Sequence, residues 1–265
     1  MKIQPVSDAH ARYLKTIRRD ARHVRLSQIG ILLAVLLLWE LGADLRWFDP
    51  FILSSPSRVI ATIARLNADG SLWLHIGTTL LETVLGFLLG TALGALIAVL
   101  LWWLPKLSRV LDPYLVVLNA LPKIALGPVL IVWIGAGMAS IVVMGVLVSL
   151  VVTTVTVLNG FLAATDEKQL LMRTLGATKL QIFTKVVLPA GVPDLISALK
   201  ISVGMSWVGV IVGEYLVSKA GLGYLIVYGG QVFKLDLVMA SVTILCVLAA
   251  LMYYAVAFLE KKVHS

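Results

Sequence analysis

Cysteine is nearly absent. The single Cys246 leaves no disulfide framework and no thiolate metal site, and inside an apolar run it reads as a packing residue. Histidine is scarce too, and His10, His23, His75 and His264 are dispersed among terminal and loop segments. Without convergent His, Asp, Cys or Ser groups there is no constellation for catalysis and none for a metal ion. A Gly-x-x-x-x-Gly-Lys-Ser/Thr phosphate loop is also missing, so ATP hydrolysis is excluded from this chain. Charge is the largest deficit: 14% of the 265 residues are charged, 60% are hydrophobic and the mean hydropathy is +0.98. Such a chain belongs with membrane proteins.

What is present is apolar sequence in long runs. A helix needs about 20 residues to cross roughly 30 Å of hydrocarbon, and six runs qualify, near 27–45, 77–103, 108–135, 139–164, 192–216 and 238–259. An all-α, six-span protein follows, with residues 1–26 as a basic arm and 27–265 as the transmembrane domain. Signal-peptide n-regions are shorter than this arm and no small-residue cleavage site is evident near 42–44, so the first run is expected to stay as a span. The net charge of +8 could suggest nucleic acid, but its distribution points to a bilayer. With the N-terminus inside, fifteen Lys and Arg residues fall in inner segments and five in outer ones. The positive-inside rule therefore expects both termini, and the loop after the fourth run, in the cytoplasm.

Polar residues inside the runs are candidates for a solute path. The third run holds Pro113, Pro122 and Pro128 with Asn119 and Lys123, a pattern for a broken helix beside a wet cavity. Lys123 either attracts an anion in transit, pairs with Glu82 or Glu214, or snorkels outward. Thr153, Thr154, Thr156 and Asn159 cluster in the fourth run, where they can line a path or bond across helices. Ser197, Lys200, Ser206 and Glu214 lie along the fifth, Lys200 as an anion site, a structural partner or a headgroup lysine. Gly86, Gly90 and Gly94, spaced by four, predict close helix contact in the second run, while Glu82 is expected to reach the interface or pair with a base. Before that run, Ser57 is placed to cap a helix through Val59, Ile60, Ile63 and Leu66.

The chain is organised around a polar loop, Asp166 to Pro193. Leu171, Leu175, Leu180 and Phe183 recur at helical spacing with Arg173, Lys179 and Lys185 between them. Gly176 costs about 1 kcal/mol in a helix interior, which predicts two short helices meeting at a bend there. Pro189 and Pro193 are expected to end the polar segment. Amphipathicity alone favours a basic helix lying on headgroups.

The spacing of Gly176, Ala177, Phe183, Leu188, Pro189 and Pro193 resembles the cytoplasmic loop of ABC-importer membrane subunits, although Leu170, Leu171 and Met172 stand where that family has Glu-Ala-Ala. Asn119-Ala120-Leu121-Pro122-Lys123, Ala198-Leu199-Lys200-Ile201 and Glu214 followed after seven residues by Leu222-Gly223-Tyr224 resemble the nitrate, sulfonate, taurine and bicarbonate branch, over about residues 53–260. The resemblance implies a type I importer permease of the bacterial inner membrane. It implies a homodimer with two ATPase subunits inside, which bind ATP and magnesium, and a solute-binding protein outside. The loop at about 166–190 would dock on the ATPase through Leu170, Leu171, Met172, Leu175, Gly176, Ala177, Thr178, Lys179, Phe183 and Pro189. The solute would be a small anion such as a sulfonate, taurine or nitrate. The alternative is a membrane receptor or scaffold that transports nothing, which would give no reason for the Gly176/Pro189 loop.

Overall fold

The computed structural model describes residues 8–164 and 166–263. Residues 1–7 of the expected arm, with Lys2, and the terminal residues 264–265 lie outside them. The described residues form twelve α-helices and no strand: α1 Asp8–Asp44, α2 Pro50–Leu53, α3 Pro56–Ala68, α4 Ser71–Trp103, α5 Pro105–Ala120, α6 Gly127–Ile134, α7 Met138–Leu162, α8 Asp166–Thr174, α9 Lys179–Ile182, α10 Leu188–Val217, α11 Leu222–Gln231 and α12 Leu235–Val263. Five continuous helical stretches are long and apolar enough to cross a membrane, and the pair α5 and α6 makes a sixth if taken as one bent span.

α7 is central, packed against both α4 and α10, which also touch each other. Lipid tails are as apolar as leucine, so helices associate here by close packing of small residues. Gly86 of α4 and Gly209 of α10 both approach Gly145 of α7: a β-carbon on Gly86 would lie 3.3 Å from the Gly145 Cα, and one on Gly209 2.8 Å from it. The glycine spacing of the second run thus does what the sequence predicts. Hydroxyls add cross-helix bonds, Thr153 to Ser202 at 2.7 Å and Thr154 Oγ1 to the Gly94 carbonyl at 3.2 Å. Each is worth about 0.6 kcal/mol in a membrane, so backbone proximity dominates.

The third run breaks by 86° between α5 and α6. Leu121, forced extended by the following proline at ψ 131°, ends α5, and a short 3₁₀ turn from Lys123 to Leu126 leads into α6. The other proline expectation is corrected. Pro189 and Pro193 do not end a helix, because a π-helical turn at Phe183–Val187 joins α9 to α10. There the Leu188 N–H bonds to the Phe183 carbonyl five residues back, a wider register that accommodates the donor missing at Pro189.

Two smaller expectations are also corrected. Ser55, not Ser57, caps α3, while the Ser57 hydroxyl donates to Glu40 of α1 at 2.6 Å. Cys246 is exposed on α12 and is not a core packing residue. α1 continues unbroken from the described part of the basic arm into the first span.

Candidate functional site

The loop between α7 and α10 is built by local rules. α8 closes at Gly176, whose φ of +77° is left-handed, with the Ala177 N–H returning to the Met172 carbonyl at 2.9 Å. Thr178 then opens α9 with a reciprocal cap: its N–H donates to Gln181 Oε1 at 2.8 Å and its Oγ1 accepts from the Gln181 N–H at 3.3 Å. The bend lies where the sequence places it.

Two loop side chains reach the tryptophans at the end of α4. Lys179 Nζ donates to the Trp103 carbonyl at 2.6 Å and sits 5.6 and 5.3 Å from the ring centroids of Trp102 and Trp103. A cation on the last carbonyls of a long helix also meets the negative end of its dipole. Phe183 is buried, with ring centroids 4.9 Å from Trp102 and 5.6 Å from Phe161. Met172 and Ala177 pack against the same core.

The remaining loop residues point away. Leu170, Leu171, Leu175 and Leu180 are 63%, 60%, 74% and 59% exposed, and Gly176, Thr178 and Pro189 are exposed as well. Beside them a groove of about 520 Å³ between the end of α4, α5 and the loop is lined by Trp102, Arg109, Arg173 and Lys179. The ten loop positions singled out in the sequence therefore divide: Met172, Ala177, Phe183 and Lys179 hold the loop on the bundle, and the leucines form its outer apolar face. Trp102, Trp103 and Phe161 complete the anchor. The Trp102-Trp103 pair before Pro105 was the available sign, since adjacent tryptophans at a span end mark a membrane interface.

The polar residues of the spans do not converge on one path. Asn119 and Asn159 line a cavity of about 270 Å³ between α5 and α7, together with Asp112. Thr153, Ser206 and Glu214 are instead fully buried between helices, and Thr156 is half-buried. The carboxylate pairing weighed for Lys123 is corrected, whereas the structural-partner reading of Lys200 finds its carboxylate. Lys123 donates to the carbonyl of Asn119 at 3.1 Å, one turn back, and meets neither Glu82 nor Glu214. Lys200 pairs with Glu260 of α12 at 2.5 Å, with both side chains a quarter to a third exposed.

At the other end of the bundle, Glu82 is 1% exposed and lies beside Glu214, not beside a base. The Glu214 carboxylate accepts from the Gly223 N–H at 2.6 Å, the His75 Nδ1 from the Gly221 N–H at 3.0 Å, and the Thr79 hydroxyl from the Leu222 N–H at 2.7 Å. A β-carbon on Gly221 or Gly223 would run into the Glu214 carboxyl. That contact accounts for glycine at both positions of the turn. The spacing of His75, Thr79 and Glu82 along one face of α4 was the signal for this cluster.

These features define a multi-pass α-helical membrane protein with a broken span and a bent, anchored surface loop between its central helices. The chain belongs to the binding-protein-dependent transport system inner membrane components, the ABC importer permeases, whose family model matches residues 90–265. It is 36% identical over 234 residues to a probable ABC transporter permease protein of Haemophilus influenzae, covering 87% of this chain and 92% of that one. It is 30% identical over 228 residues to the formylaminopyrimidine transport permease protein ThiX of Halalkalibacterium halodurans, covering 86% and 90%. With the taurine transport system permease protein TauC of Escherichia coli it shares 24% over 258 residues, 96% and 94% of the two chains. The fold is that of the inward-facing MetNI methionine ABC transporter, at a TM-score of 0.64 and 22% identity over 76% of this chain and 98% of that one.

Proposed function

We propose that this permease forms the solute path of an ATP-driven importer by dimerising with a second copy and docking two ATP-hydrolysing subunits on its α8–α9 loop. The observation that carries the reading is the loop's two-sided construction. Phe183 and Lys179 fix one side to the ends of α4 and α7, while four exposed leucines face outward. Exposed apolar patches on a rigid support mark contact sites, and movement of the docked subunit would be transmitted to α4 and α10. ATP and magnesium would be held by that partner. Both termini and the loop face the cytoplasm in this reading, supported by the distribution of Lys and Arg, and a solute-binding protein delivers the solute from outside.

The proposed solute is a small anion such as a sulfonate, taurine or nitrate, supported by the taurine relative and by Lys123 on the broken span. A second reading, a neutral or cationic heterocycle, is favoured by Asp112 in the Asn119–Asn159 cavity and by the formylaminopyrimidine relative. Uptake into proteoliposomes containing the permease, its ATPase and its binding protein tests both. ATP-dependent uptake of taurine or a sulfonate supports the first, and uptake of a formylaminopyrimidine alone replaces it with the second.

A further inference from the structure

Glu82 and Glu214 meet at the end of the bundle away from the docking loop. About 30 Å of helix separates Glu82 from Trp102 at a rise of 1.5 Å per residue. Both glutamates are 1% exposed, and their carboxyls lie beside each other. Glu82 Oε2 and Glu214 Oε1 are buried and receive no hydrogen from any N–H or hydroxyl group. Two carboxylate oxygens cannot share a dry contact as two anions, since each would lose its hydration and repel the other. A contact of this kind needs a proton in it or a cation beside it.

No cation is at hand among the described residues. α7 and α6 carry no ionisable group. α4 contributes His75, whose Nδ1 is already an acceptor for the Gly221 N–H. α10 and α11 contribute Tyr215, Tyr224 and Tyr228, and the connecting turn Lys219, which is exposed. Arg58 of α3 is committed to Asp236 of α12 at 2.9 Å, and Arg65 donates to Thr62. The two carboxyls are also unequal. Glu214 has the Gly223 N–H at 2.6 Å, with the Thr79 hydroxyl and the Tyr224 N–H beside it, whereas Glu82 has no donor of its own.

We infer that Glu82 and Glu214 form a proton-binding site, in which a protonated Glu82 donates to an ionised Glu214 and so holds the Gly221–Gly223 turn against α4 and α10. Three successive N–H groups of that turn end on His75, Thr79 and Glu214. Loss of the proton puts two anions in one dry site, and the turn is the element free to leave. Seating of the turn therefore requires a proton, a property independent of which solute is carried.

The test uses the full chain in lipid nanodiscs, read by infrared difference spectroscopy of the protonated carboxyl C=O stretch. A band present at neutral pH, lost in Glu82→Gln and retained in Glu214→Gln, is the expected result. Deuterium uptake across residues 218–224, corrected for intrinsic exchange, should rise several-fold in the wild type as pH is raised into the alkaline range. It should stay flat in Glu82→Gln, whose amide keeps a donor without a titrating proton. No band at neutral pH, or one unchanged in Glu82→Gln, overturns the site. Thermal stabilisation by sodium or potassium ions at fixed pH, with no band, would assign the pair to a metal cation instead.

Discussion

Lys179 and Trp103 are 76 residues apart in sequence, yet the lysine ammonium donates to the tryptophan carbonyl at 2.6 Å and closes the end of α4 with a charge from the loop. A displacement of the loop therefore pulls on a helix that reaches the Glu82 end of the bundle. Lys179→Met should loosen this joint by about 1 kcal/mol, the sum of a helix-end charge and an exposed cation–π contact. Deuterium uptake across residues 166–182 should rise, with ATPase co-purification reduced and membrane insertion unchanged. Unaltered exchange would show that Met172, Ala177 and Phe183 hold the loop without Lys179.

Gly176→Val should preserve insertion and reduce ATPase association. A β-branched residue at φ +77° costs about 1–2 kcal/mol and opens the reversal between α8 and α9. The amount of ATPase retained per permease is the measurement, and an unchanged amount contradicts the role given to the bend.

Topology is tested with single cysteines on a Cys246→Ser background, needed because Cys246 is itself exposed. Leu175→Cys, at a position 74% exposed, should react with an impermeant reagent only after cells are opened. Lys219→Cys should react in intact spheroplasts. The opposite pattern inverts the orientation and removes the docking reading with it.

Lys200→Gln and Glu260→Gln should have the same small effect, about 0.2–1 kcal/mol on stability, because the pair is partly exposed and screened. The double variant should cost no more than either single one, measured as thermal unfolding in detergent. Loss of uptake in Lys200→Gln but not in Glu260→Gln would restore a direct role on the solute path.

Much of this was legible in the sequence because it is local. Apolar run length gave the spans, the four-residue glycine interval gave the close packing of α4, and Gly176 gave the bend. The Gly-Leu-Gly turn was legible as well, but not its reason, because the Glu214 carboxyl that fills the space is set by folding. Pairings over long separations were hidden for the same cause. Lys123 looked like a buried cation needing Glu82 or Glu214, and Lys200 like one whose partner could not be named, whereas the fold gives the first its own helix carbonyl and the second a carboxylate 60 residues on. Pro189 misled because proline removes a donor from an α-helix, and a π turn supplies another register in which that donor is not needed.

The most direct test of the central claim is crosslinking from the loop to the ATPase in the assembled complex. Cysteines at Leu171 and Leu175 should each crosslink to the ATP-hydrolysing subunit that co-purifies from native membranes. A cysteine at Val132, 82% exposed on α6, should not. Crosslinks from Val132 with none from the loop, in a complex that still hydrolyses ATP, would contradict the account.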